Sequence, residues 1–269
     1  MCLPLDPDIL SRRRPGFSAE GLIHEYQHNE PRAFSIDSGQ CRPTGSADNE
    51  PQVLSRGRVV QTVGNNAVTQ PERSGLIEVR FHGRGGQGNV AASWLLAAAV
   101  IREGRFAQAF PAFGAERRGA PVVAYVRMAR YRLRRRSSVL HPTFLIVQDS
   151  GLLSVPGVLD GLVGGGAVLV NSHEPSESLT HRLGVPAVAL PAEDMAREVL
   201  GRPVPNTALL SAFVTLTGLL SRESLEAEVA ERFAGKGEET VNRNIALIRR
   251  AAEAVPAFGW KEASNAARA

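Results

Sequence analysis

Cysteine is nearly absent from these 269 residues: Cys2 and Cys41 are the only two. No Cys-x-x-Cys pair or Cys/His cluster accompanies them, which excludes a disulfide framework, a structural zinc site and a self-contained iron–sulfur cluster. Lysine is equally scarce, with Lys236 and Lys261 alone, so the net charge of +4 rests almost wholly on arginine. Six arginines fall between Arg127 and Arg136. Only Tyr131 interleaves with them, which argues against a nucleic-acid groove. No Gly-x-Ser-x-Gly elbow appears, so hydrolase chemistry has nothing to stand on. The longest apolar run, Ala91 to Ile101, is about half the length a membrane-spanning helix requires. The first thirty residues lack the apolar core of a secretory signal. A cytoplasmic chain that binds neither membrane nor nucleic acid is the expectation. The arginine run itself has two readings: a solvated strand end, or a patch that docks an acidic partner or a cofactor phosphate.

What is present changes character near residue 74. Residues 1–73 have scattered Pro and Gly, broken apolar runs and no strand or helix period, so they read as an extension without its own core. Either it wraps on partner subunits through anchors such as Leu3, Leu5, Ile9, Leu10 and Phe17, with a short edge strand near Val59, Val60 and Val63, or it is a loose tail. Residues 74–269 form the second unit. There, short β-rich runs alternate with helix-length segments: strands are expected near Leu76–Phe81, Ala107–Phe110, Val122–Met128, Thr143–Val147, Ala167–Val170 and Ala187–Leu190. Helices are expected over Asn89–Glu103, Glu193–Leu200, Thr207–Leu220, Arg222–Phe233 and Glu238–Ala254. That pattern predicts an α/β fold, a doubly wound mixed or parallel sheet with helices on both faces and further helices at the C-terminus.

The first strand runs into Gly83-Arg84-Gly85-Gly86-Gln87-Gly88, and the first long helix begins at Asn89, a reasonable N-cap. Glycines at that junction permit positive φ and let an anion approach the amide N–H groups and the positive end of the helix dipole. Close strand–helix packing without a ligand is the other reading. Gly83, Gly85 and Gly88 satisfy the dinucleotide pattern formally. However, the second strand ends without the carboxylate that a ribose needs, and Glu103 falls at the end of the helix. A free-standing NAD-dependent oxidoreductase is therefore a minor alternative. His82 reads as a scaffold residue or a phosphate contact, and Asp149 as a helix N-cap at a strand end.

Together, the loop Gly83 to Gly88 and the segment Ala112-Phe113-Gly114-Ala115-Glu116-Arg117-Arg118-Gly119-Ala120-Pro121 resemble the γ subunit, or γ domain, of the 2-oxoacid:acceptor oxidoreductases, the group containing pyruvate:ferredoxin oxidoreductase. The resemblance spans roughly Leu76 to Phe258. It implies a chain that is not catalytic alone. Thiamine diphosphate, magnesium and 4Fe–4S clusters would be held by α-, β- and δ-type partner subunits, and electrons would pass to ferredoxin or to a flavin- or NAD-linked acceptor subunit. The complex would convert a 2-oxoacid to an acyl-CoA. By match to the motifs, the resemblance places Gly83, Arg84, Gly85, Gly86, Gln87, Gly88, Arg117, Arg118 and Gly119 at coenzyme A. Arg202 and Asn206 of Arg202-Pro203-Val204-Pro205-Asn206 resemble a further element that faces it. Each has a second reading: an interface salt bridge for Glu116-Arg117-Arg118, and an N-cap with a solvated arginine for Asn206 and Arg202. An aryl 2-oxoacid enzyme of the indolepyruvate or phenylglyoxylate type, or a purely structural subunit, are the alternatives.

Overall fold

The computed structural model describes residues 75–112, 119–135 and 137–266. The expected arm over residues 1–73, Arg117 and Arg118 lie outside them. The chain runs β1 (Ile77–Arg84), α1 (Asn89–Arg102), β2 (Phe106–Pro111), β3 (Pro121–Ala129), β4 (Phe144–Val147), a 3-10 turn (Ser150–Ser154) and β5 (Ala167–Asn171). Then follow α2 (Ser176–Leu183), β6 (Ala187–Leu190), α3 (Ala192–Leu200), α4 (Asn206–Thr217), α5 (Arg222–Phe233), α6 (Glu238–Glu253) and α7 (Lys261–Ala266).

The strands form one mixed sheet in the order β2-β3-β1-β4-β5-β6. β1, β4, β5 and β6 are parallel, and β3 is antiparallel to both β1 and β2. The chain leaves β1 toward β2 and β3 on one side and returns to β4 on the other. The carboxyl ends of β1 and β4 therefore flank the point where the winding reverses, the crevice in which open α/β sheets bind ligands. β1 outruns the expected Leu76–Phe81 because Gly83 and Arg84 keep pairing, with Val122 and Pro121.

The alternation of β1 decides what packs where. Ile77, Val79 and Phe81 face the main helical layer, with Leu96, Phe144, Ile146 and Phe213 in the same core. Phe144 meets Phe213 edge-on at 5.4 Å and stacks with Trp260 at 5.8 Å. A smaller cluster on the reverse face joins Leu145, Val147, Val168 and Val170 to Leu152 and Leu179. Helices thus cover both faces, unequally. α1 lacks any charge before Arg102, yet Trp94 and Ile101 are exposed on it. α5 begins at Ser221, whose side chain accepts from the Ser224 N–H. The carboxylate expected of a capping box comes from another helix end: Glu103 accepts from the Ser221 N–H at 2.7 Å and from the Ser224 hydroxyl at 3.1 Å.

The reverse face of β1 is polar and nonetheless buried, through Glu78, Arg80 and His82. Glu78 holds the Arg127 guanidinium at 2.6 Å. Arg80 donates from Nε to His82 Nε2 at 2.9 Å and from Nη2 to the carbonyls of Val158 and Asp160 at 2.8 Å. Burial first, and the neighbouring Arg80 charge second, push the His82 pKa down from 6.5 to about 4. Below pH 6.5 the unfolded chain takes up a proton that folded His82 refuses until about pH 4. Stability therefore falls as pH drops through that window, and above it this group contributes no pH dependence. The full loss is about 3 kcal/mol, because each pH unit across the window is worth about 1.4 kcal/mol. Urea unfolding at about pH 7 and about pH 4.5 should show His82→Gln losing less stability on acidification than the wild type, by roughly 2 kcal/mol. Equal losses would show that His82 is free to protonate in the fold.

Candidate functional site at the glycine loop

The glycine loop closes on itself and on the start of β3. Gln87 Oε1 accepts from the Arg84 N–H at 2.7 Å, the Gln87 N–H donates to the Arg84 carbonyl at 3.1 Å, and Gly86 between them has φ +98. The Gly85 N–H donates to the Ala120 carbonyl at 2.9 Å, and the Gly119 N–H to the Gly85 carbonyl at 3.4 Å. The two segments that carried the family resemblance are therefore hydrogen-bonded to each other. Arg84 adds a third anchor. Its Nε meets Asp149 Oδ2 at 2.5 Å and its Nη1 donates to the Gly119 carbonyl at 3.3 Å. Asp149 also caps the 3-10 turn, as expected, by accepting from the Gly151 N–H at 2.9 Å. The Arg84–Asp149 pair thus bridges β1 and β4 across the switch point.

The start of α1 differs from expectation. Gly88, with φ +79, is the N-cap, and among the described residues no side chain caps the helix. Asn89 turns inward, donating from Nδ2 to the carbonyls of Phe81 at 3.3 Å and Val122 at 2.7 Å. Asn206 opens α4 directly against Gly88: a Cβ added at position 88 would stand 2.6 Å from Asn206 Nδ2. Pro205, not Asn206, holds the N-cap position of α4 and makes no capping bond, while Asn206 Oδ1 accepts from the Thr207 N–H at 2.8 Å within the first turn. Neither helix carries an acidic residue in its first turn. Two helix N-termini thus converge with no capping side chain at either N-cap position and no carboxylate of their own, an arrangement suited to an anion. Arg202 is exposed on the approach to α4.

Gln148 is a further residue of this site, and the sequence reading passed over it. It follows β4 on the face shared by Phe144 and Ile146, its N–H continues the ladder to the His82 carbonyl at 2.7 Å, and it is fully buried. Among the described residues neither its Oε1 nor its Nε2 has a partner, and Asn89 Oδ1 is likewise open. Buried carboxamides with open hydrogen-bonding atoms are uncommon enough to mark a site. The available signal was a polar residue directly after the all-apolar Phe144-Leu145-Ile146-Val147 at core-facing parity. Among the described residues no group of three or more His, Cys, Asp or Glu is placed to hold a metal ion. Among them, too, no helix is long and apolar enough to cross a membrane.

The family model for pyruvate ferredoxin/flavodoxin oxidoreductase matches residues 78–254. The chain belongs to this family. It is 43% identical over 161 residues to the pyruvate synthase subunit PorC of Methanocaldococcus jannaschii, covering 60% of this chain and 88% of that one. Against the pyruvate/ketoisovalerate oxidoreductases common subunit gamma of Thermococcus kodakarensis it is 42% identical over 181 residues, covering 63% of this chain and 98% of that one. The crystal structure of the pyruvate oxidoreductase subunit PORC of Thermotoga maritima superposes with a TM-score of 0.60 at 34% identity, covering 67% of this chain and 97% of that one. The α/β fold and the γ-type membership expected from the two motifs both hold, and the chain is a γ-type subunit of a 2-oxoacid oxidoreductase.

The contact between Gly88 and Asn206 gives a direct test. Gly88→Ala combines a positive φ with a Cβ that overlaps Asn206, and should cost about 2 kcal/mol or more in unfolding free energy. Gly86 has a similar φ but open space around its Cβ position, so Gly86→Ala should cost only the backbone strain, about 1 kcal/mol. Equal costs in denaturant titrations would show that α4 does not press on Gly88.

Proposed function

We propose that this subunit receives the phosphate-bearing end of coenzyme A at the convergent N-termini of α1 and α4 and presents the thiol to thiamine-bearing sibling subunits. The complex would oxidatively decarboxylate a 2-oxoacid to its acyl-CoA. The observation that carries this reading is the meeting of two carboxylate-free helix N-termini at Gly88 and Asn206 beside the switch point. Backbone N–H groups at such ends answer phosphate charge, and arginine forks add to them. Arg117 and Arg118 immediately precede Gly119, which is bonded to the loop. They are assigned to the ligand together with Arg202. Gly83 to Gly88 supply the close backbone approach. Arg84 acts mainly by clamping the loop, since Asp149 and the Gly119 carbonyl already take its guanidinium.

In this reading the chain performs no covalent chemistry. Thiamine diphosphate with magnesium, and the 4Fe–4S clusters, reside in α-, β- and δ-type siblings and supply decarboxylation and electron transfer there. Ferredoxin, or a flavin- or NAD-linked subunit, accepts the electrons, and the assembly works in the cytoplasm. What this chain contributes is position and charge. Gly85, Gly88 and Asn206 set the shape of the anion seat, and Gln148 and Asn89 provide its polar floor.

Asn206→Asp tests the seat, because aspartate preserves the acceptor for the Thr207 N–H, a bond of 2.8 Å, while adding a negative charge at both helix ends. In the purified complex the KM for coenzyme A should rise about tenfold, equivalent to about 1.4 kcal/mol, with kcat at saturating coenzyme A little changed. An intact complex whose KM for coenzyme A does not move would contradict the assignment and favour a subunit that only holds the assembly together.

A further inference from the structure

The arginine run after β3 is a separate surface. β3 is antiparallel to β1, so the chain that leaves β3 at Ala129 emerges at the opposite end of the sheet from the glycine loop. Nine strand residues put about 30 Å between those ends. That distance excludes a shared role in holding the phosphates at the loop, so of the two docking readings of the run the topology leaves the acidic partner.

The run is held rather than loose. Arg127, almost wholly buried, donates from Nη1 to the Arg135 carbonyl at 3.3 Å and from Nη2 to the Ser138 carbonyl at 3.1 Å. Gln108 Nε2 donates to the Leu133 carbonyl at 3.1 Å. Arg127 is itself fixed by Glu78 and lies 5.4 Å from the centre of the Phe110 ring. Backbone ordered in this way from beneath lowers the entropy lost on docking.

Arg130, Arg132, Arg134 and Arg135 are exposed, and among the described residues none is paired with a carboxylate. Elsewhere the chain neutralises many of its exposed arginines: Arg102, Arg182, Arg197, Arg243 and Arg250 each meet a carboxylate. Two exposed aromatics accompany the run. Tyr131 lies within it, Phe106 pairs in register with Ala129, and each is 45% exposed. Unpaired arginine set beside exposed Tyr and Phe on fixed backbone is the composition of a protein-binding hot spot.

We infer that this end of the sheet docks a carboxylate-rich face of a sibling subunit, with Arg132, Arg134 and Arg135 forming bidentate pairs around a Tyr131–Phe106 centre. The inference rests on the multisubunit reading above and adds the surface and the chemistry of its partner. Arginine suits this task because its planar fork matches a carboxylate, and the lysine-free run keeps that geometry throughout. A nucleic acid is the less favoured occupant, since two aromatics do not make a stacking track.

The test uses the intact complex. The triple variant Arg132→Glu, Arg134→Glu, Arg135→Glu changes only exposed side chains, and its circular dichroism and melting temperature should match the wild type. Native mass spectrometry and sizing at about 0.15 M salt should show one companion subunit lost, or held at least about tenfold more weakly. The triple lysine variant should retain it in part, and the wild type should shed the same companion as salt rises. Any complex retained by the variant should keep its KM for coenzyme A. A variant complex with full companion stoichiometry at every salt concentration would overturn the docking surface while leaving the coenzyme A seat untouched. If that variant instead lost only a filter-retained RNA probe, the surface would be a nucleic-acid site and the inference would fail. A wild-type chain that never purifies with companions would overturn the multisubunit reading itself.

Discussion

The site depends on one close approach. Asn206 can lie against the turn at residue 88 only because that position carries no side chain and has the positive φ that glycine adopts without strain. This contact brings the N-terminus of α4 to the N-terminus of α1 beside the sheet's switch point. Neither N-cap residue, Gly88 or Pro205, carries a capping side chain, and of the first-turn N–H groups that a helix end leaves open only that of Thr207 meets a side chain among the described residues, Asn206 Oδ1. Such omissions are expected where function overrides local stability.

The polar reverse face of β1 links this site to the rest of the molecule. Glu78, Arg80, His82 and Arg84 project in turn along one strand, and each fixes a different neighbour. Glu78 holds Arg127 and, through it, the backbone of the arginine run. Arg80 ties down the carbonyls of Val158 and Asp160, His82 accepts from Arg80 as a neutral imidazole, and Arg84 binds Asp149 at the mouth of the crevice. Buried ion pairs return little net stability compared with apolar packing. Here they organise the two ends of the sheet: the glycine loop at one end and a cationic surface at the other.

Much of this architecture was legible in the sequence. The six strands were found near their true positions because apolar runs and turn residues delimit them, and the loop and α1 because glycines separate a strand pattern from a helical one. Boundaries moved where tertiary pairing intervened: β1 gained Gly83 and Arg84 by pairing with β3, and α4 stops at Thr217 because Gly218 takes the left-handed conformation. The site was legible only in part. The loop and Asn206 carried recognisable motifs, but Gln148 carried none, and no local pattern shows that Arg84 is spent on Asp149, 65 residues away. Asn89 looked like a cap by position, yet its side chain turned inward to carbonyls of β1 and β3. The neutral state of His82 is also non-local, because its first cause is burial in the folded molecule.

The central claim is that this subunit seats the phosphates of coenzyme A at two convergent helix ends. Titrating the purified complex with 3′-phospho-ADP, which carries the phosphates without the pantetheine arm, tests it most directly. The account predicts that this fragment binds, competes with coenzyme A and weakens as salt rises. A complex that turns over coenzyme A yet neither binds the fragment nor is inhibited by it would contradict the account.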